Sequence, residues 1–134
     1  MICDIYDNVL EEHVAQLIDM EMKEITWKYD YNSHKDGINK HWHTHCGHEE
    51  LFEEYNFLSP IWETAKRKYD FENKYKVSRF LRVYVNAHTH GIEPHLHHDD
   101  GDFTMIYYPR LDWKPEWMGG TAIWNEQKNE IDKY

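Results

Sequence analysis

Val77-Ser78-Arg79-Phe80-Leu81-Arg82-Val83-Tyr84-Val85-Asn86 is the stretch where the pattern of the chain changes. Leu81, Val83 and Val85 fall on one face of an extended chain, and Arg82, Tyr84 and Asn86 on the other. Phe103–Tyr108 and Thr121–Trp124 read as two further strands. Upstream the spacing is helical. Residues 7–24 form an amphipathic helix with Asp7 or Asn8 as N-cap and Val14, Leu17, Ile18 and Met22 on one buried face. A short strand follows at Ile25–Tyr31, then a polar loop from Asn32 to Lys40 and a helical region beginning near Glu49. Ser59-Pro60 joins an N-cap to a proline at the first helical position, opening a helix to about Tyr69 that buries Ile61, Trp62 and Ala65. Helices followed by strands predict an α+β protein in which the helices support a sheet or barrel.

A chain of 134 residues fits one domain. Residues 1–75 form its mainly helical support and 76–134 its β region. The formal net charge of −10 argues against nucleic acid or an anionic membrane surface as the main partner. No apolar run approaches the roughly 20 residues of a membrane span. Two cysteines, Cys3 and Cys46, make no disulfide framework and fit a reducing cytoplasm.

Eleven histidines are many for this length, and they cluster. Pro94-His95-Leu96-His97-His98-Asp99-Asp100 contains His-x-Asp, which on a strand points an imidazole and a carboxylate to the same side. That is two-thirds of a facial triad of two histidines and one carboxylate, which leaves coordination positions open on a non-haem Fe(II). His97/Asp99 and His98/Asp100 both satisfy the pattern. The first is preferred, because Asp100 then falls with Gly101 into a turn. A solvated histidine-rich turn would show the same residues.

The surrounding string carries more information. Arg82-Val83-Tyr84-Val85-Asn86, the histidine–aspartate cluster, Gly101-Asp102-Phe103-Thr104, Ile106-Tyr107-Tyr108, Asp112-Trp113-Lys114-Pro115-Glu116-Trp117 and Gly119-Gly120-Thr121 occur in that order. Over about residues 78–125 this resembles the prolyl 4-hydroxylase-like branch of the Fe(II)/2-oxoglutarate-dependent oxygenases. The resemblance implies a double-stranded β-helix of the jelly-roll or cupin kind, with residues 76–134 as the N-terminal part of that core. It implies Fe(II) bound by His97 and Asp99 as ligands rather than acid–base groups. It also implies contacts from Tyr108, and less directly Tyr84, to the cosubstrate 2-oxoglutarate, with Thr104 on the same face as Tyr108. The activity implied is a dioxygenase that hydroxylates a peptide, a protein side chain or a small metabolite. Pro109-Arg110 departs from the family's pattern on the substrate side.

The family's distal histidine and the arginine or lysine that binds the cosubstrate are not found: no histidine follows His98 and no arginine follows Arg110. A jelly roll closes with roughly eight strands, and this chain offers fewer. The β-helix is therefore expected to be incomplete, in a truncated or split protein whose complementary chain, or a second copy, completes the barrel. A substitute within the chain would take its cation from Lys114 and its third nitrogen from His95 or His43. Lys40-His41-Trp42-His43-Thr44-His45-Cys46-Gly47-His48 is expected to be a loop near the pocket mouth. If extended, it would set His41, His43 and His45 on one face for zinc, with Cys46 or His48 as fourth ligand. His88 and His90 are assigned to the loop before the iron ligands. The rival to an enzyme is a non-catalytic, histidine-rich metal-binding module or inactive remnant of the fold.

Overall fold

The computed structural model describes residues 3–32, 39–92 and 95–133. The expected loop at Asn32–Lys40 lies mostly outside the described residues, as does Pro94 of the histidine cluster. The described residues form a mixed α+β fold of three α-helices and two small antiparallel sheets. Helix α1 spans Glu12–Glu24. It starts later than expected, because Asn8 adopts a left-handed φ of 51° that ends any helical run from Asp7. Glu11 is then the N-cap, and its carbonyl accepts from the amides of Val14 and Ala15. Ile18 is fully buried, with Val14 and Met22 packed beside it. Leu17, expected on the same face, is 49% exposed.

Strand β1 (Lys28–Tyr31) pairs with β2 (His41–His48), which pairs in turn with β3 (Arg82–Ala87). The stretch read as a loop at 41–48 is thus the central strand of the larger sheet. Pairing on both sides outweighs the modest strand preference of its histidines. Trp42 stands opposite Ala87, His43 opposite Asn86, Thr44 opposite Val85 and His45 opposite Tyr84. The register then shifts, so that Gly47 faces Val83 and Cys46 is the extra residue of a bulge.

Residues 53–58 form a 3-10 turn where a helical region was expected from Glu49. Helix α2 (Ser59–Tyr69) follows, with its cap at Leu58, one residue ahead of Ser59. It buries Trp62 and Ala65, while Ile61 is partly covered. Asp70, at φ 50°, separates α2 from α3 (Phe71–Tyr75). Ile18, Cys46, Phe52, Leu58, Trp62, Ala65 and Phe71 make the core, and Val83 and Val85 pack onto it from β3. Burial pushes the Cys46 thiol pKa up to about 12, helped by the charge of Glu54.

Beyond β3 the packing thins. Phe103–Tyr108 forms no strand, contrary to expectation. Among the described residues nothing pairs with it, and an extended segment without a ladder partner is not a strand. Phe103 still packs on Phe71 and Tyr75, at ring distances of 5.6 and 5.2 Å. Met105, Ile106, Leu111, Trp113, Trp117 and Met118 are exposed. The second sheet pairs β4 (Ile123–Asn125), at the site of the expected third strand, with an unanticipated β5 (Glu130–Lys133). The Asn125 side chain accepts from the Lys128 amide and shapes the turn between them. No closed barrel is formed by the described residues. Among them, no helix is long and apolar enough to cross a membrane.

Candidate metal centre

The sheet of β1, β2 and β3 has two faces of different chemistry. Thr44, Cys46, Val83 and Val85 face the core, as strand alternation requires. His41, His43, Tyr84 and Asn86 lie on the opposite, outer face. Continuing the β2–β3 ladder one step beyond Trp42 and Ala87 sets His88 across from His41. Their rings stack at 4.4 Å. His88, expected only in a connecting loop, is therefore part of this face. His43 lies flat on Tyr31 at 3.9 Å, and its Nδ1 is 2.8 Å from the Asn86 Oδ1. Tyr31 meets His41 edge-on at 5.3 Å.

His41 is the most enclosed of these groups, at 2% exposure, and its Nε2 is buried without a hydrogen-bond partner. Burial holds its pKa below the usual imidazole value. The neighbouring charges of His88, His43 and His97 add to this, and a hydrogen bond with Asn86 opposes it. His88 is lowered by burial as well. Sequence reading placed 41, 43 and 45 on one face if extended, but it could not supply the register that brings His88 to His41. Cys46 points into the core, away from the imidazoles, and is not placed as their fourth ligand.

The segment 95–99 has no regular secondary structure. Within it His97 Nε2 lies 3.5 Å from Asp99 Oδ1. The His97 Nδ1 donates to the carbonyl of His95 at 2.9 Å, which leaves the Nε2 lone pair directed at the carboxylate side. Thr104 donates to the other Asp99 oxygen at 3.0 Å. The alternative pair is arranged differently. His98 contacts Glu126 at 3.1 Å and Asp100 contacts Arg82 at 3.3 Å, with 84% and 88% of their side chains exposed. The structure thus brings His97 and Asp99 together and sends His98 and Asp100 to separate partners.

Tyr84 is half-buried, 5.3 Å from the His43 ring. Its phenol pKa is raised by burial first and by the Asp99 charge second. Tyr108 is exposed, and its hydroxyl bonds to Thr121. Lys114 sits 5.8 Å from the Trp117 ring, and Arg110 pairs with Asp112 at 2.8 Å. Among the described residues, no three histidine, cysteine or acidic side chains converge closely enough as placed to hold an ion. A cleft of about 600 Å³ lies at the edge of the sheet, lined by Glu21, Glu24, Glu53, Glu54 and, from the sheet, His43 and His45. Lys28 also lines it, whereas His97 and Asp99 do not, so the cleft and the His97–Asp99 pair are different places. Comparison with protein-family models, with curated proteins and with solved structures finds no match to this chain.

Proposed function

We propose that this chain is an Fe(II)- and 2-oxoglutarate-dependent dioxygenase of the prolyl 4-hydroxylase-like kind, with part of a double-stranded β-helix as its core. One observation supports this above the others: the His97 imidazole and the Asp99 carboxylate face each other, each with its remaining polar atom anchored. His97 is oriented by the His95 carbonyl and Asp99 by Thr104. Anchored ligands of this kind lose little freedom on taking up a metal. The donor types suit Fe(II), and His97 and Asp99 would hold it. When bound, the metal with 2-oxoglutarate supplies the oxidising chemistry. Tyr84 lines the adjoining wall, and Tyr108 with Thr121 is the candidate contact for 2-oxoglutarate. The cation that balances the cosubstrate's far carboxylate is assigned to a complementary chain or a second copy seated on the exposed apolar residues between Met105 and Met118.

The rival is a metal-binding module without catalysis. It is favoured by the engagement of Lys114 and Arg110 with Trp117 and Asp112, away from the pair. Anaerobic titration with Fe(II), then with 2-oxoglutarate, separates the two. The enzyme reading expects one Fe(II) bound, a metal-to-ligand absorption band on adding 2-oxoglutarate, and loss of both in His97→Ala and Asp99→Asn. Iron binding with no response to 2-oxoglutarate selects the module. No iron binding sinks both.

A further inference from the structure

We propose that the exposed turn from Arg110 to Met118 is the face through which two copies of this chain pair, about a two-fold axis beside Trp113. Arg110 of one copy then meets the partner's Glu116, and Asp112 meets the partner's Lys114. The pairing does not depend on whether His97 and Asp99 hold a metal.

Leu111, Trp113, Trp117 and Met118 are all exposed within this one turn, a concentration of apolar side chains that marks an interaction surface. The turn is also held in shape. The Trp113 Nε1 donates to the Met118 carbonyl at 3.1 Å, and Pro115–Trp117 forms a 3-10 turn. Arg110 and Lys114 stand 4.8 and 5.8 Å from the centre of the Trp117 ring. Aromatic side chains fixed in this way lose little freedom when a partner covers them.

Charge identifies the partner as a second copy. Between Phe103 and Thr121 the cations Arg110 and Lys114 balance the anions Asp112 and Glu116, so this stretch is neutral in a chain of net charge −10. Two copies repel least where their neutral stretches meet, whereas a strongly basic partner is drawn to the acidic remainder. The four charges also alternate in sign at every second residue, with Trp113 at their centre. A two-fold axis reverses that order and sets each charge against its opposite, which is the self-complementarity a two-fold interface requires. Arg110 already holds Asp112 at 2.8 Å, and its guanidinium keeps further donors for the partner's Glu116. The tryptophans supply the affinity and the charges fix the register.

Sedimentation equilibrium of the full chain at about pH 6, where protonated histidines trim the negative charge, is expected to show monomer and dimer in exchange. Trp113→Ala is expected to weaken the dimer about 10-fold or more. Asp112→Lys and Lys114→Glu each set like charges against each other at both symmetry-related contacts, and each alone is expected to weaken the dimer. Asp112→Lys does so although it moves the formal charge from −10 towards neutrality, which separates the contact from general repulsion. An equimolar mixture of these two variants restores opposite charges at both contacts and is expected to pair about as tightly as the wild type. The substituted positions are exposed, so folding is spared. A wild type that stays monomeric leaves the face to a different chain and overturns the pairing. A dimer indifferent to these changes, or a mixture that fails to pair, places the contact elsewhere and overturns it equally.

Discussion

Leu17 and Ile18 are neighbours in α1, yet one is 49% exposed and the other fully buried. The spacing of Val14, Ile18 and Met22 marks a stripe that meets the core, and Leu17 sits at the margin of that stripe, where it stays half-exposed. Ile18→Ala is therefore expected to cost about 2–5 kcal/mol, the range for emptying a buried aliphatic site. Leu17→Ala should stay within about 0.5 kcal/mol apart from helix propensity. Urea unfolding midpoints of the two variants check the contrast, and equal losses would show that the apolar stripe is wider than the burial implies. At this scale the sequence was readable wherever a residue's fate depends on its own helix. It misplaced Leu17, expected on the buried face, because exposure is decided by what lies opposite.

Gly47 shows what an element demands of one position. A Cβ added there would sit 2.6 Å from the Leu51 carbonyl oxygen, which is backbone and already accepts from the His48 amide at 2.9 Å. Gly47→Ala is expected to lower stability by about 1–3 kcal/mol, with a fall in thermal midpoint and retained far-UV dichroism as the readout. An unchanged midpoint would mean that the turn after β2 yields without cost. The period-two alternation read over Val77–Asn86 was enough to find β3, although the strand itself begins only at Arg82, and Ser59-Pro60 was enough to find α2 within a residue. β2 was misread because its histidines carry little strand preference, and its pairing with β1 and β3 is set by residues far away in sequence. The same gap hid half of the candidate site. His97-x-Asp99 is a local pattern and could be read directly. The meeting of His41 with His88 depends on a register between strands separated by two helices. Phe103–Tyr108 fails in the opposite sense: its composition is that of a strand, but composition cannot provide a neighbour to pair with.

Across the whole molecule, the core is built almost entirely from residues before β3, while the stretch from Met105 to Met118 leaves Ile106, Leu111, Trp113 and Met118 in solvent. A formal charge of −10 at pH 7 opposes contact between these surfaces on different copies. That protection is pH-dependent. Histidine side chains as a class take up protons between about pH 8 and 5, and the net charge of this chain, with its eleven histidines, vanishes near pH 5.5. His41 and His88, whose pKa values are lowered, join later. Self-association is thus expected to rise steadily between pH 7 and 5.5 and to reverse on return. Sedimentation velocity across that range checks it, and a pH-independent monomer would show that the apolar stretch is not adhesive. The two-faced central sheet has a further consequence, for descent. Because imidazoles and core residues alternate along β2, a single inserted residue between His41 and Thr44 would turn the histidines inward and the core-facing side chains outward. Lineages of this protein can be expected to keep the spacing within β2 frozen, as a shared reading frame for packing and chemistry.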